Sequence, residues 1–83
     1  MTDIARTPKQ LGNLVRRTRK QMGLSQDELG NKAGLRQATI SEIEAGNAGT
    51  KLDSILKVLA TLKLELRIVP RSKGAASDIE DLF

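Results

Sequence analysis

The sequence predicts an all-α bundle of about four helices, closed by one short C-terminal β-strand that pairs across a homodimer. Three observations predict it. Helix-start signals recur at Thr7, Ser25 and Thr50, glycines stand where the first three helical segments end, and the apolar spacing turns from helical to alternating only at Leu64. The first helix begins at Thr7-Pro8, with Thr as the N-cap, Pro in the first helical position and Gln10 three residues on to complete a capping box. Its apolar stripe is Leu11, Leu14, Val15, Thr18 and Met22, and Gly23 supplies a left-handed exit.

Leu24 then packs inward, and Ser25 with Glu28 forms a second capping box. The helix it opens is short, over 26–33, with Leu29 and Ala33 on its inner face and Gly34 as its stop. A third helix spans about 36–45, with Leu35, Ile40 and Ile43 directed at the core and Gly46 as terminator. After a loop over 47–49, Thr50 and Asp53 form a third capping box. It leads into Leu52, Ile55, Leu56, Leu59 and Leu62, which recur at helical spacing.

Residues 64–69 change the period to two, with Leu64, Leu66 and Ile68 on one face and Glu65 and Arg67 on the other. A lone strand leaves its backbone donors and acceptors unpaired, so its mate is the same strand of a second copy, which predicts a homodimer. Two alternatives stand beside this: pairing with residues 2–5, or continuation of the last helix through Leu64 to Ile68.

Composition narrows the chemistry. The chain has 83 residues, room for one core but not two, with 39% hydrophobic and 29% charged residues as in a soluble globule. Phe83 is its one aromatic residue, so the core must be aliphatic. No apolar run reaches the length of a membrane span or a signal peptide, so the expected location is the cytoplasm, at the nucleoid, with no membrane partner. The absence of Cys and His removes thiol chemistry, the commonest general base and the usual transition-metal ligands; no catalytic residue, metal site or cofactor is expected. All 14 Lys and Arg fall within residues 1–73 against 7 Asp and Glu there, whereas residues 74–83 hold three acids and no base. A basic body suits a polyanion, although such charge also serves plain solubility.

Two short helices joined at Gly34 and packed against a longer first helix form a helix-turn-helix, whose second helix enters the DNA major groove. Its first turn would carry base-reading side chains. Gln37 can make a bidentate contact with adenine, Ala38 leaves room for a thymine methyl, and Arg36 can meet guanine or a phosphate. Ser41, one turn on, is a further candidate. Thr39 and Glu42 are weaker ones, since Thr39 also suits a plain helix surface and Glu42 repels phosphate unless it accepts from cytosine. Gln26 and Ser25, at the start of the second helix, would hold a phosphate through backbone amides and the helix dipole. Lys51, Arg16 and Lys20 could approach the flanking backbone, with Arg16 and Lys20 on one helix face and Arg17 on another.

The run Gly23-Leu24-Ser25-Gln26-Asp27-Glu28-Leu29, with Leu35, Gln37-Ala38-Thr39-Ile40-Ser41 and Ile43-Glu44-Ala45-Gly46, resembles the lambda-repressor-like (Cro, Xre) helix-turn-helix family over about residues 8–64. Within it, residues 36–41, the strand after the last helix and the loose tail are most similar to the HipB-like antitoxins. The resemblance implies an operator-binding repressor that autoregulates its operon and binds a HipA-like kinase toxin. A stand-alone repressor with no toxin is the alternative. It also implies an ion pair of Arg19 with Glu44. Two features depart from the family: Gly30 stands where Ala is usual, and the last helix lacks its frequent aromatic.

These readings divide the chain into a DNA-binding and dimerisation domain at 1–69 and a flexible tail at 70–83. The tail ends in Asp78-Ile79-Glu80-Asp81-Leu82-Phe83, where Ile79, Leu82 and Phe83 among acids suit docking on a partner as well as a solubilising end. Enzyme fragments are thin: Ser54-x-x-Lys57 lies in an apolar helix, and the glycine loop at 46–51 is too short for a P-loop. RNA reading lacks an aromatic stacking platform.

Overall fold

A computed structural model describes residues 3–71. Four helices follow one another: α1 (Pro8–Gln21), α2 (Gln26–Ala33), α3 (Gln37–Glu44) and α4 (Leu52–Thr61). The all-α expectation and the helix order stand, and the caps explain the boundaries. Thr7 Oγ1 accepts the Gln10 N–H at 3.0 Å, but Gln10 Oε1 takes the N–H of Arg6, not that of the cap, so the first box is half formed. Ser25 and Glu28 make the full reciprocal box, at 3.0 and 2.9 Å.

That box carries a pH signature. The Ser25 backbone N–H, then its side chain, hold the Glu28 carboxyl below the usual carboxylate range. A carboxyl depressed by folding contributes fully above its unfolded value and loses that contribution as pH falls through the folded one. Urea midpoints of the wild type should therefore drop on acidification through the carboxylate range by more than those of Glu28→Gln, which lacks this titration.

The third box does not form. Lys51 is the N-cap of α4 with no side-chain bond, because Thr50 Oγ1 donates instead to the Asn47 carbonyl at 3.1 Å in a loop closed by Asn47 Oδ1 on the Gly49 N–H. Asp53 pairs with Lys57 at 3.3 Å on the exposed side, so the Lys of the Ser54-x-x-Lys57 spacing is engaged elsewhere.

Val15, Leu29, Ile40, Ile43, Val58, Leu59 and Leu62 form one core, drawing on all four helices, with Leu11, Leu24, Ala33, Leu35, Ile55 and Leu64 packed around it. Every member is aliphatic. Three expectations need correction. Val58 is fully buried although the apolar stripe passed over it, while Leu52 and Leu56 are 60% and 42% exposed; the inner face of α4 runs through Ile55, Val58, Leu59 and Leu62. Met22 caps α1 and is exposed, because the chain has already left the helix there.

The α1–α3 contact depends on Gly12. A Cβ there would meet the carbonyl oxygens of Ile43 and Glu44, the latter at 2.6 Å, so α1 crosses the end of α3 on bare backbone. Gly30, the departure from family pattern, has a similar cause. Its Cβ would lie 2.8 Å from the Leu35 carbonyl oxygen, where the chain turns from α2 into α3.

The C-terminal segment departs from the strand expectation. Lys63 adopts φ +60°, rare for a residue with a side chain. The Leu64 N–H then reaches back to the Leu59 carbonyl at 2.7 Å, so α4 ends and Leu64 folds onto the core. This excludes continuation of the helix. Residues 64–71 have no regular secondary structure in the single chain and no strand mate among the described residues, 3–6 included. Leu66 and Ile68 face outward, Ile68 at 97% exposure.

Candidate nucleic-acid interface

Helix α3 is held from beneath and bare on top. Ile40 and Ile43 anchor it in the core, while Arg36, Gln37, Ala38, Ser41 and Glu42 are exposed and Thr39 is half-buried. Its N-cap Arg36 makes no side-chain cap bond. Gly34, at φ +72°, ends α2 in the left-handed conformation and sets the turn between the pair.

Beneath the exposed row lies a chain of polar contacts. Arg19 on α1 and Glu44 at the end of α3 form a two-pronged pair, Nε to Oε2 at 2.6 Å and Nη2 to Oε1 at 3.0 Å, with side chains only 10% and 4% exposed. Arg19 Nη1 also donates to the Leu24 carbonyl at 2.8 Å, pinning the α1–α2 connection. The hydrogen bond to Glu44 raises the Arg19 pKa further, against the opposing cost of burial. From Glu44 the chain runs outward. Gln26 Nε2 donates to Glu44 Oε1 at 3.2 Å, and Gln37 Nε2 donates to Gln26 Oε1 at 2.6 Å. The buried pair, the start of α2 and the first residue of α3 are thus one connected network.

Gln26 therefore spends one N–H inward and keeps the other. Ser25 Oγ accepts the Glu28 N–H, and its side chain is engaged with Glu28 in the capping box. Asp27 and Glu28 lie in the same first turn and compete with any anion for the positive end of α2. Arg16 joins Gln26, Ser41, Glu44 and Ala45 in lining a shallow polar groove beside α3, and Lys20 is exposed one turn along from it. Arg17 turns elsewhere and pairs with Asp3 at 2.8 Å. Lys51 is exposed at the start of α4. Ile79, Leu82 and Phe83 lie outside the described residues.

The helix-turn-helix family profile matches residues 15–69. The chain belongs to the helix-turn-helix family of DNA-binding regulators. Among its relatives is the antitoxin HipB of Escherichia coli O6:H1, 35% identical over 78 residues that cover 92% of this chain and 83% of that protein. Two solved structures are also similar. One is a complex of a HipB variant with the O2 20mer, at TM-score 0.77 and 35% identity, covering 83% of this chain and 96% of that one. The other is a HipA-HipB-O2-O3 complex, at TM-score 0.74 and 36% identity, covering the same shares.

Within this helix-turn-helix, the family resemblance implies Arg19 and Glu44 as a pair, and the structure has them in contact. The link through Gln26 to Gln37 went unread. The signal was present: each glutamine is the first residue of its helix, and the Gly34 turn brings those two starts together. No helix among the described residues is long and apolar enough to cross a membrane.

Proposed function

We propose that the chain is a sequence-specific repressor of the HipB antitoxin type, which binds a near-palindromic operator as a homodimer, autoregulates its operon and engages a HipA-like kinase toxin. One observation carries the reading. The exposed row Arg36, Gln37, Ala38 and Ser41 tops a helix whose other side is locked into the core and into a buried ion pair. Such a helix presents polar side chains without losing its own support, as major-groove reading requires.

Gln37 has one N–H and its whole Oε1 left after bonding Gln26, enough to donate to adenine N7 and accept from N6. Ala38 lies against a thymine methyl, and Arg36 and Ser41 reach flanking bases or phosphates. Thr39, half-buried, contributes least. Gln26, Ser25, Lys51, Arg16 and Lys20 meet the phosphate backbone. Residues 1–69 act as the DNA-binding and dimerisation unit. Leu64 holds the segment to the core, and Leu66 and Ile68, exposed in the single chain, are covered when two copies pair strand to strand. One similar solved structure holds HipA together with HipB, which supports such a toxin as the partner. Ile79, Leu82 and Phe83, apolar among acids, are its docking residues in this reading.

Two recognition helices related by a dyad should read half-sites about 34 Å apart. In titrations against the operator, Gln37→Ala is expected to cost about 1 to 3 kcal/mol and relax preference at one base pair. Lys51→Ala should weaken all sequences alike and flatten the salt dependence. Equal losses on every sequence from Gln37→Ala would reject its reading role. Purification of the untagged protein from its native cell tests the toxin assignment, which fails if no kinase-like protein accompanies it.

A further inference from the structure

We propose that Glu44 is a specificity-determining positioning residue: its buried carboxylate, acting through Gln26, fixes which edge of the Gln37 carboxamide faces outward and so selects adenine over guanine. The inference rests on the DNA-reading role of Gln37 and goes further, to what decides the base.

A glutamine amide is ambiguous, since a half-turn exchanges its donor and acceptor ends at little steric cost. Here the ambiguity is removed from below. Glu44 offers two oxygens and no proton; Oε2 takes Arg19 Nε at 2.6 Å, and Oε1 takes Arg19 Nη2 at 3.0 Å. Only the N–H end of Gln26 can face Oε1, as it does at 3.2 Å. Gln26 must then turn its oxygen to Gln37, and only the N–H end of Gln37 can meet that oxygen, as it does at 2.6 Å.

Each link dictates the next, and the last leaves Gln37 with one N–H and an unshared oxygen. That pair matches the N7 acceptor and N6 donor of adenine. The reversed amide would turn its oxygen inward and leave two N–H groups, which suit the two acceptors of guanine, O6 and N7. Arg19 takes part by holding the carboxylate in place with two of its donors, both spent on Glu44.

The test reads a ratio, which a loss of folded protein does not alter. Wild-type protein is first used to select from short duplexes with a randomised centre. The position whose preference Gln37→Ala relaxes is then identified. Affinities are compared for duplexes carrying adenine or guanine there. The wild type should favour adenine by about 10-fold, within the range of a bidentate contact. Glu44→Gln can present either end to Gln26, so its preference should fall to about twofold or less while phosphate contacts persist.

Gln26→Met cuts the next link while leaving both Arg19–Glu44 bonds in place and should give the same loss, which keeps the test decisive should Glu44→Gln not fold. Wild-type discrimination retained in either folded variant overturns the inference and leaves the DNA-reading proposal intact. If the position that Gln37→Ala relaxes carries no adenine, the inference falls while Gln37 keeps a reading role; if Gln37→Ala relaxes no position, the inference falls together with that role.

Discussion

Glu44→Ala is expected to lose about 3 to 5 kcal/mol of folding stability, much of what a domain of this size has to lose. The reason is what remains. Arg19 would keep a guanidinium with 10% exposure and no counter-charge, and the network to Gln26 and Gln37 would lose its anchor. Arg19→Ala should cost a similar amount by stranding the carboxylate. Replacing both together, Arg19→Met with Glu44→Leu, should recover a good part of the loss, since no charge is then left unpaired. Urea denaturation followed by circular dichroism checks all three. A loss below about 1 kcal/mol from either single change would place the pair among exposed bridges that contribute little.

Gly12→Ala should also destabilise, by about 3 kcal/mol, against the usual preference of a helix. Alanine is favoured over glycine by about 1 kcal/mol in a helix interior, so propensity alone predicts a gain. The contact decides otherwise. The added methyl would press on the Ile43 and Glu44 carbonyl oxygens, which are backbone and cannot rotate aside. Separating α1 from α3 by the width of a methyl strains the core contact of Val15 and the geometry of the Arg19–Glu44 pair. The melting temperature should fall; a rise would mean that the helices separate freely at this crossing.

Much of this was legible in the residues. Cap and stop signals at Thr7, Ser25, Gly23, Gly34 and Gly46 gave helix boundaries close to those observed, because each acts through bonds to its nearest neighbours in sequence. What failed depended on contacts made at a distance or on competing local bonds. Thr50 had the spacing of a cap, but the Asn47 carbonyl claimed its hydroxyl. The inner face of α4 was read one step off, since Leu52, Leu56 and Val58 are equally apolar and only packing tells them apart.

The alternation from Leu64 is real in the sequence. Among the described residues a single chain nevertheless supplies no edge for it to join, and the left-handed Lys63 that redirects the segment carries no glycine to announce it. In the site, the exposed row on α3 followed from its pattern. The bonded amides of Gln26 and Gln37 did not, because they meet only after the turn at Gly34 has closed.

The bare crossing of α1 over α3 has a mechanical consequence. At Gly12 no side chain separates the two backbones, so a pivot of α3 about that point would carry α1 along. In the proposed dimer, the distance between the two reading helices is then altered only by sliding whole protomers.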